Sequence, residues 1–389
     1  MDLFFPILLY LCTFAATIGF MSIAAKLRDS EDPVIRTFGC GVFLMLAVLV
    51  PSLIAGLRGD EVGVDVMVYP IPNMQDAVQC STFEDVFEAC GGGWEIAYAG
   101  MVYLCSRFTD DVGLLLFVLQ FFVALPVCLA ALKSRRFVSV SLFMGAYCFV
   151  FYNNSLNAMR QSMACGFLLL GFSGLVWGRR MSRGEFLALV LAVILHKSAG
   201  LGVLMFLGLL LVSKSFTTPR RMLTCGIVVF AGAMLGLRFL PEISSCLGEI
   251  NPNFALYEKA FVTGEEGKEW FVNPFSPAEL LSSFVVTALV AVPAFFSRGV
   301  LKEADSAQRR LFVITAAGWL LYHSVLYSLN TPYGQRISVL LDFFLIAFVA
   351  CRPLGGLLGA LCRWGVLMAY WFCDVVRLNW SDSIHYYFR

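Results

Sequence analysis

An arginine near the start of an apolar run, flanked by amides, is suited to binding an anion at the mouth of a membrane. Asn157-Ala158-Met159-Arg160-Gln161 is such a sequence. An arginine at the centre of a membrane helix costs roughly 2.5–3.5 kcal/mol on insertion scales, so this grouping points to an aqueous cavity or an anionic ligand. At about 1.5 Å per helical residue, the basic pair Arg179-Arg180 lies about 28 Å from Arg160, close to the hydrocarbon thickness of about 30 Å. Arg160 is therefore expected at one end of its span. In a continuous helix Asn157 and Arg160 share a face, with Gln161 one turn from Asn157.

Three other groupings could join it. Arg58-Gly59-Asp60-Glu61-Val62-Gly63-Val64-Asp65, followed by Tyr69, comes directly after the second apolar run. His196-Lys197-Ser198 interrupts the run 186–212, and Asn330-Thr331-Pro332-Tyr333-Gly334-Gln335-Arg336 brings a third arginine to the start of a span. Each also admits a plain structural reading, as a snorkelling arginine, a packed histidine or an interfacial anchor. The planar fork of arginine matches phosphate oxygens, so Arg58, Arg160 and Arg336 on one face would hold a lipid diphosphate and stabilise it as a leaving group. His196, Asp65 and Glu95 are the acid–base candidates, histidine because it titrates near neutrality. His323 reads as a packing residue, and His385, in the aromatic tail from Trp380 to Phe388, as interfacial. No strict Asp-x-Asp is present. Asp60-Glu61 and Asp110-Asp111 are weak substitutes, so the expected chemistry is metal-independent and needs no cofactor.

The elements that must position these residues are membrane helices. The chain has 389 residues, 59% of them hydrophobic and 14% charged, against roughly 25% charged in soluble domains; its mean hydropathy is +0.79. A net charge of +1 gives no reason to expect a nucleic-acid partner. Apolar runs fall at about 3–25, 37–57, 111–132, 138–152, 158–177, 186–212, 222–240, 277–297, 311–329, 336–351 and 354–376. The first has no basic flank before it and is longer than a signal-peptide core, so it reads as a retained span. Basic loops (Lys26/Arg28/Arg36, Lys133/Arg135/Arg136, Arg179/Arg180/Arg183, Lys214/Arg220/Arg221 and Arg298/Lys302/Arg309/Arg310) belong on the cytoplasmic side. Acid-rich loops 58–93 and 241–276 then belong outside.

This alternation holds only if 186–212 crosses twice, broken at His196-Lys197-Ser198-Ala199-Gly200. It also requires 94–109 to lie as an outer-face interfacial helix rather than a span. The expectation is an all-α polytopic protein of about 12 transmembrane helices in one domain over 1–389, with both termini outside. No internal repeat is visible. Of thirteen cysteines, only Cys80 and Cys90 fall in an outer loop, where a disulfide is an open alternative to free thiols.

Arg58…Val62-Gly63-Val64-Asp65…Tyr69, then Trp94-Glu95-Ile96-Ala97-Tyr98, then Leu156-Asn157-Ala158-Met159-Arg160-Gln161-Ser162-Met163-Ala164, then Leu195-His196-Lys197-Ser198-Ala199, resembles the EpsG-like, Wzy-type polysaccharide polymerases in order and spacing. The resemblance covers roughly residues 50–350. Val64 and Val66 depart from it, standing where the family often has threonine and an aromatic residue. It implies that Arg58, Asp65, Arg160, Gln161 and His196, together with Arg336, line an active cavity. Asn157, Lys197 and Tyr69 join them as substrate-binding candidates. It also implies polymerisation of capsule, exopolysaccharide or O-antigen repeat units on the outer face of the cytoplasmic (inner) membrane. The substrate would be an undecaprenyl-diphosphate-linked glycan in the lipid bilayer, and the partners other polysaccharide-assembly proteins. On residues alone, a transporter or flippase of a lipid-linked saccharide or another anion, or a related glycan ligase, stays open. Transporters place polar groups near the midplane and often repeat their halves; here the polar groups favour one face.

Overall fold

The computed structural model describes residues 3–91, 95–213, 276–297, 306–327, 338–351, 356–379 and 381–389. Every regular element among them is helical. α1 (Phe4–Leu27) is followed by a π-helical turn, Ile35–Gly39, that runs into α2 (Cys40–Gly56). Then come the short helices α3 (Asp65–Val68), α4 (Pro70–Gln79), α5 (Phe83–Ala89) and α6 (Ile96–Ser106). α7 (Val112–Ser134) precedes α8 (Val140–Ala146), which passes through a π-helical stretch into α9 (Asn153–Asn157). α10 (Met159–Val176), α11 (Arg183–Leu195) and α12 (Ala199–Ser213) complete the first half. The expected outer loop 58–93 is thus largely helical. Pro70 opens α4, where its missing N–H has no intrahelical role, and a Thr82–Asp85 capping box opens α5.

Six of the described helices are long and apolar enough to cross a membrane: Phe4–Leu27, Ile35–Gly56, Val112–Ser134, Met159–Val176, Pro277–Ser297 and Gly356–Arg377. This makes the chain a polytopic helical membrane protein. The expected twelve spans are not reached among the described residues. α11 and α12 have 13 and 15 residues, short of the roughly 20 that span hydrocarbon, and the run 222–240 lies outside the described residues.

α1 packs on α2, α2 on α7, α7 on α10 and α10 on α11. The helix carrying Arg160 is the most enclosed of the six, with 83% of its apolar window buried against 33% for Phe4–Leu27 and Ile35–Gly56. Its polar end therefore faces protein rather than lipid, whereas α1 and α2 turn exposed Phe4, Leu8, Leu11, Val42 and Leu53 outward. On α11, a Ser182–Glu185 capping box fixes the start. Glu185 also accepts from Lys133 Nζ at 2.9 Å and Ser173 Oγ at 3.0 Å, tying α11 to α7 and α10.

Two helix breaks matter for the site. The run 186–212 breaks where its sequence suggests: α11 ends at Leu195, His196 is extended (φ −156°, ψ 119°), and α12 begins at Ala199. The other was not foreseen. Ala158 leaves helical geometry (φ −79°, ψ 53°), so Asn157 ends α9 while Arg160 sits in the first turn of α10. The expected shared helical face of Asn157 and Arg160 is replaced by a kink. In the aromatic tail, Ser383, Ile384 and Tyr386 are buried while His385 is exposed, and the segment folds back on the Arg58 loop.

Candidate active site

Glu95, at the N-cap of α6, joins two of the expected site residues. Its Oε2 lies 2.5 Å from Arg160 Nη1, and its Oε1 lies 2.6 Å from His196 Nδ1. All three side chains are partly open, at 15% exposure for Glu95, 30% for Arg160 and 21% for His196. Burial works to raise the Glu95 carboxyl, but the His196 hydrogen bond and the charges of Arg160 and Lys197 outweigh it and hold Glu95 below its ordinary value. An ionised carboxylate can only accept, so His196 donates from Nδ1, and in the neutral ring Nε2 carries the lone pair. This leaves Nε2 as the base nitrogen of a part-exposed ring, with its tautomer set by Glu95.

Tyrosines hold the other side of Arg160. Its guanidinium lies 4.3 Å from the Tyr69 ring centroid and 5.1 Å from that of Tyr98, within range of cation–π attraction. The two rings meet edge to face at 5.7 Å, and Tyr98 OH accepts from Asn73 Nδ2 at 3.0 Å. Tyr98 and Asn73 were not singled out from sequence. Tyr98 was within reach of helical spacing, three residues after Glu95 on α6; Asn73 arrives through tertiary packing alone.

The Arg58–Tyr69 segment packs on the kink at residues 157–158. Asn157 Oδ1 accepts from the Asp65 backbone N–H at 2.9 Å, so this amide fixes the loop. Gly63 has φ +91°, and a Cβ there would approach Leu156 O at 3.0 Å, which suits glycine on both counts. Asp65 itself is half-buried. Arg58 is fully buried, with Nη2 3.1 Å from Met159 Sδ, next to Arg160. Burial pushes its guanidinium down to about 10, while Tyr10 and neighbouring phenols act in the opposite sense. Gln161 is buried, Lys197 is exposed, and Ser198 Oγ is buried without a protein partner. Arg336 lies outside the described residues. His323 is buried with Nδ1 2.9 Å from Trp319 O and its ring against Trp319, a packing arrangement. His385 is exposed, and Cys80 and Cys90 are free thiols.

The structure thus brings Glu95, Arg160, His196 and Tyr69 into direct contact and sets Arg58, Asn157 and Asp65 beside them. The model of the EpsG family matches residues 41–354, from α2 through the last of these elements. The chain belongs to the EpsG family. Comparison with curated proteins and with solved structures gives no match. The matched region of this EpsG protein contains the whole Glu95–Arg160–His196 cluster, whereas segment 381–389, which covers the Arg58 loop, lies beyond it.

Proposed function

We propose that this EpsG-family membrane protein is a polymerase that joins lipid-diphosphate-linked oligosaccharide repeat units into a cell-surface polysaccharide, a capsule, exopolysaccharide or O-antigen. The reaction would take place on the outer face of the cytoplasmic membrane. The observation that carries this reading is Glu95 bridging a phosphate-binding residue type and a base. In the proposed step, an acceptor sugar hydroxyl attacks the anomeric carbon of the growing glycan. The bond from that carbon to the diphosphate oxygen breaks with its electron pair, and the hydroxyl proton passes to His196 Nε2. Glu95 sets the imidazole tautomer and stabilises the imidazolium that forms. Negative charge gathers on the departing undecaprenyl diphosphate, where Arg160, with Arg58 and Arg336, would stabilise it.

Tyr69, Asn157, Gln161 and Lys197 complete the proposed substrate-binding set, and Asp65 is a further acid–base group of the proposed site. Asn157 works through the loop it holds, and Tyr69 by orienting the Arg160 fork. Other polysaccharide-assembly proteins are the proposed partners. The test is extension of a purified lipid-diphosphate-linked repeat unit by wild type, Glu95→Gln and His196→Ala. Both variants should fold and fail to extend; full extension by both would refute the assignment.

A further inference from the structure

One carboxylate is shared between two partners of different chemistry. Glu95 Oε2 lies 2.5 Å from Arg160 Nη1, and Oε1 lies 2.6 Å from His196 Nδ1. The residue type suited to a diphosphate and the residue type suited to a proton therefore face the same negative charge. The charged groups acting on that carboxylate are Arg160 from α10, His196 at the end of α11 and its neighbour Lys197. In return, Glu95 is the strongest opposite charge acting on Arg160. On the other side of the guanidinium, burial pushes the Tyr69 and Tyr98 phenols up, so both rings stand beside Arg160 uncharged.

Such an arrangement links the two partners. While the Arg160 guanidinium faces Glu95, it opposes a second positive charge on the His196 ring, because both cations would rest on one carboxylate. Phosphate oxygens on Arg160 remove that opposition. The guanidinium is then matched by the ligand, and the carboxylate is left to stabilise an imidazolium. Arg160 and His196 are both partly open, so ligand and water can reach them. α11 packs on both α6 and α10, which keeps the three side chains together without any helix movement.

We propose that Glu95 couples the anion site to the base: a diphosphate on Arg160 makes His196 hold a proton more firmly, and departure of the diphosphate releases that proton to water. This rests on the reading of Arg160 as a lipid-diphosphate site. In the proposed transfer the O–H bond of the acceptor breaks, its electron pair goes to the new glycosidic bond, and the proton arrives at His196 Nε2. That proton must leave before the next transfer. When the lipid diphosphate departs, Arg160 again claims Glu95, and the ring returns to the neutral form with its remaining proton on Nδ1. The coupling is reciprocal, so a protonated ring also tightens the anion.

The full chain in lipid nanodiscs, labelled at the histidine ring nitrogens, tests the proposal with farnesyl diphosphate and inorganic pyrophosphate as probes. The chain has three histidines, so His196→Ala identifies the His196 signal, and packed His323 reports that each variant is folded. At about pH 7, saturation with farnesyl diphosphate is expected to raise the imidazolium fraction of His196 at least about twofold and to leave His323 and His385 unchanged. Glu95→Gln should bind both probes about two- to fivefold more tightly, because Arg160 no longer has to give up a carboxylate, and its His196 should lose most of the response. A wild-type imidazolium fraction that ligand leaves unchanged, or a Glu95→Gln variant that binds no more tightly than wild type, overturns the coupling. If Arg160→Gln still weakens binding by at least about tenfold in that case, the diphosphate reading stands without it. Farnesyl diphosphate should bind more tightly than pyrophosphate; equal affinity would assign the site to a free anion and overturn the lipid-linked reading. Absence of binding of both probes to wild type and Glu95→Gln alike would bring down the diphosphate reading itself.

Discussion

Glu95 contributes in two ways, since one carboxylate oxygen engages Arg160 and the other sets the His196 tautomer. Replacing it with glutamine keeps shape but lets an amide donate to Nδ1, which would put the proton on the wrong nitrogen. Glu95→Gln is therefore expected to lower kcat by about 10²- to 10⁴-fold with little change in fold, on the scale of general-base catalysis; single-turnover rates and circular dichroism check this. Arg160→Lys keeps the charge but loses the fork that faces Tyr69 and Tyr98, and it should behave as a loss-of-function change rather than a conservative one. The pH dependence follows from the depressed Glu95 value. Its pairs stabilise the fold above the unfolded glutamate value of about 4.3, and that contribution is lost as pH falls through the lower folded value. The stabilisation of wild type over Glu95→Gln should therefore be present at neutral pH and shrink as pH falls below the ordinary glutamate range, which melting temperatures of the two forms across pH check.

At the scale of elements, the site depends on two interrupted helices and one tight loop. α11 delivers His196 because it stops at Leu195, and its far end is registered by Ser182 and Glu185. Ser182→Ala should cost about 0.5–2 kcal/mol, as loss of an N-cap does elsewhere, measurable as a shift in the unfolding midpoint. The polar break at His196-Lys197-Ser198 was legible in the sequence because charged and small residues interrupt an otherwise apolar run. The kink at Ala158 was not, since Asn157 through Gln161 is compatible with a continuous helix and the departure depends on a loop packed against it. Gly63→Ala tests that dependence. With φ +91° and Leu156 O close by, the substitution should displace the loop and reduce extension while α10 and α11 keep their helicity.

For the whole molecule, the all-helical membrane character was readable from composition, and charge sorting set Arg160 and His196 at one expected membrane face, whereas their joining through Glu95 comes from the structure. Tyr98, Asn73 and the return of segment 381–389 to Arg58 were hidden, because contacts across hundreds of residues leave no periodic trace in a single chain. The same charge sorting predicts topology. In a cysteine-free background, Glu61→Cys should react with an impermeant maleimide from outside, and Thr217→Cys only after permeabilisation; the reverse pattern would place the site on the wrong side for assembly of an exported glycan. The most direct measurement remains extension of a purified lipid-diphosphate-linked repeat unit in vitro. Wild type should produce a ladder of longer glycans with release of the lipid diphosphate, and Glu95→Gln and His196→Ala, folded to the same extent, should produce none. An undiminished ladder from both variants would contradict the central claim.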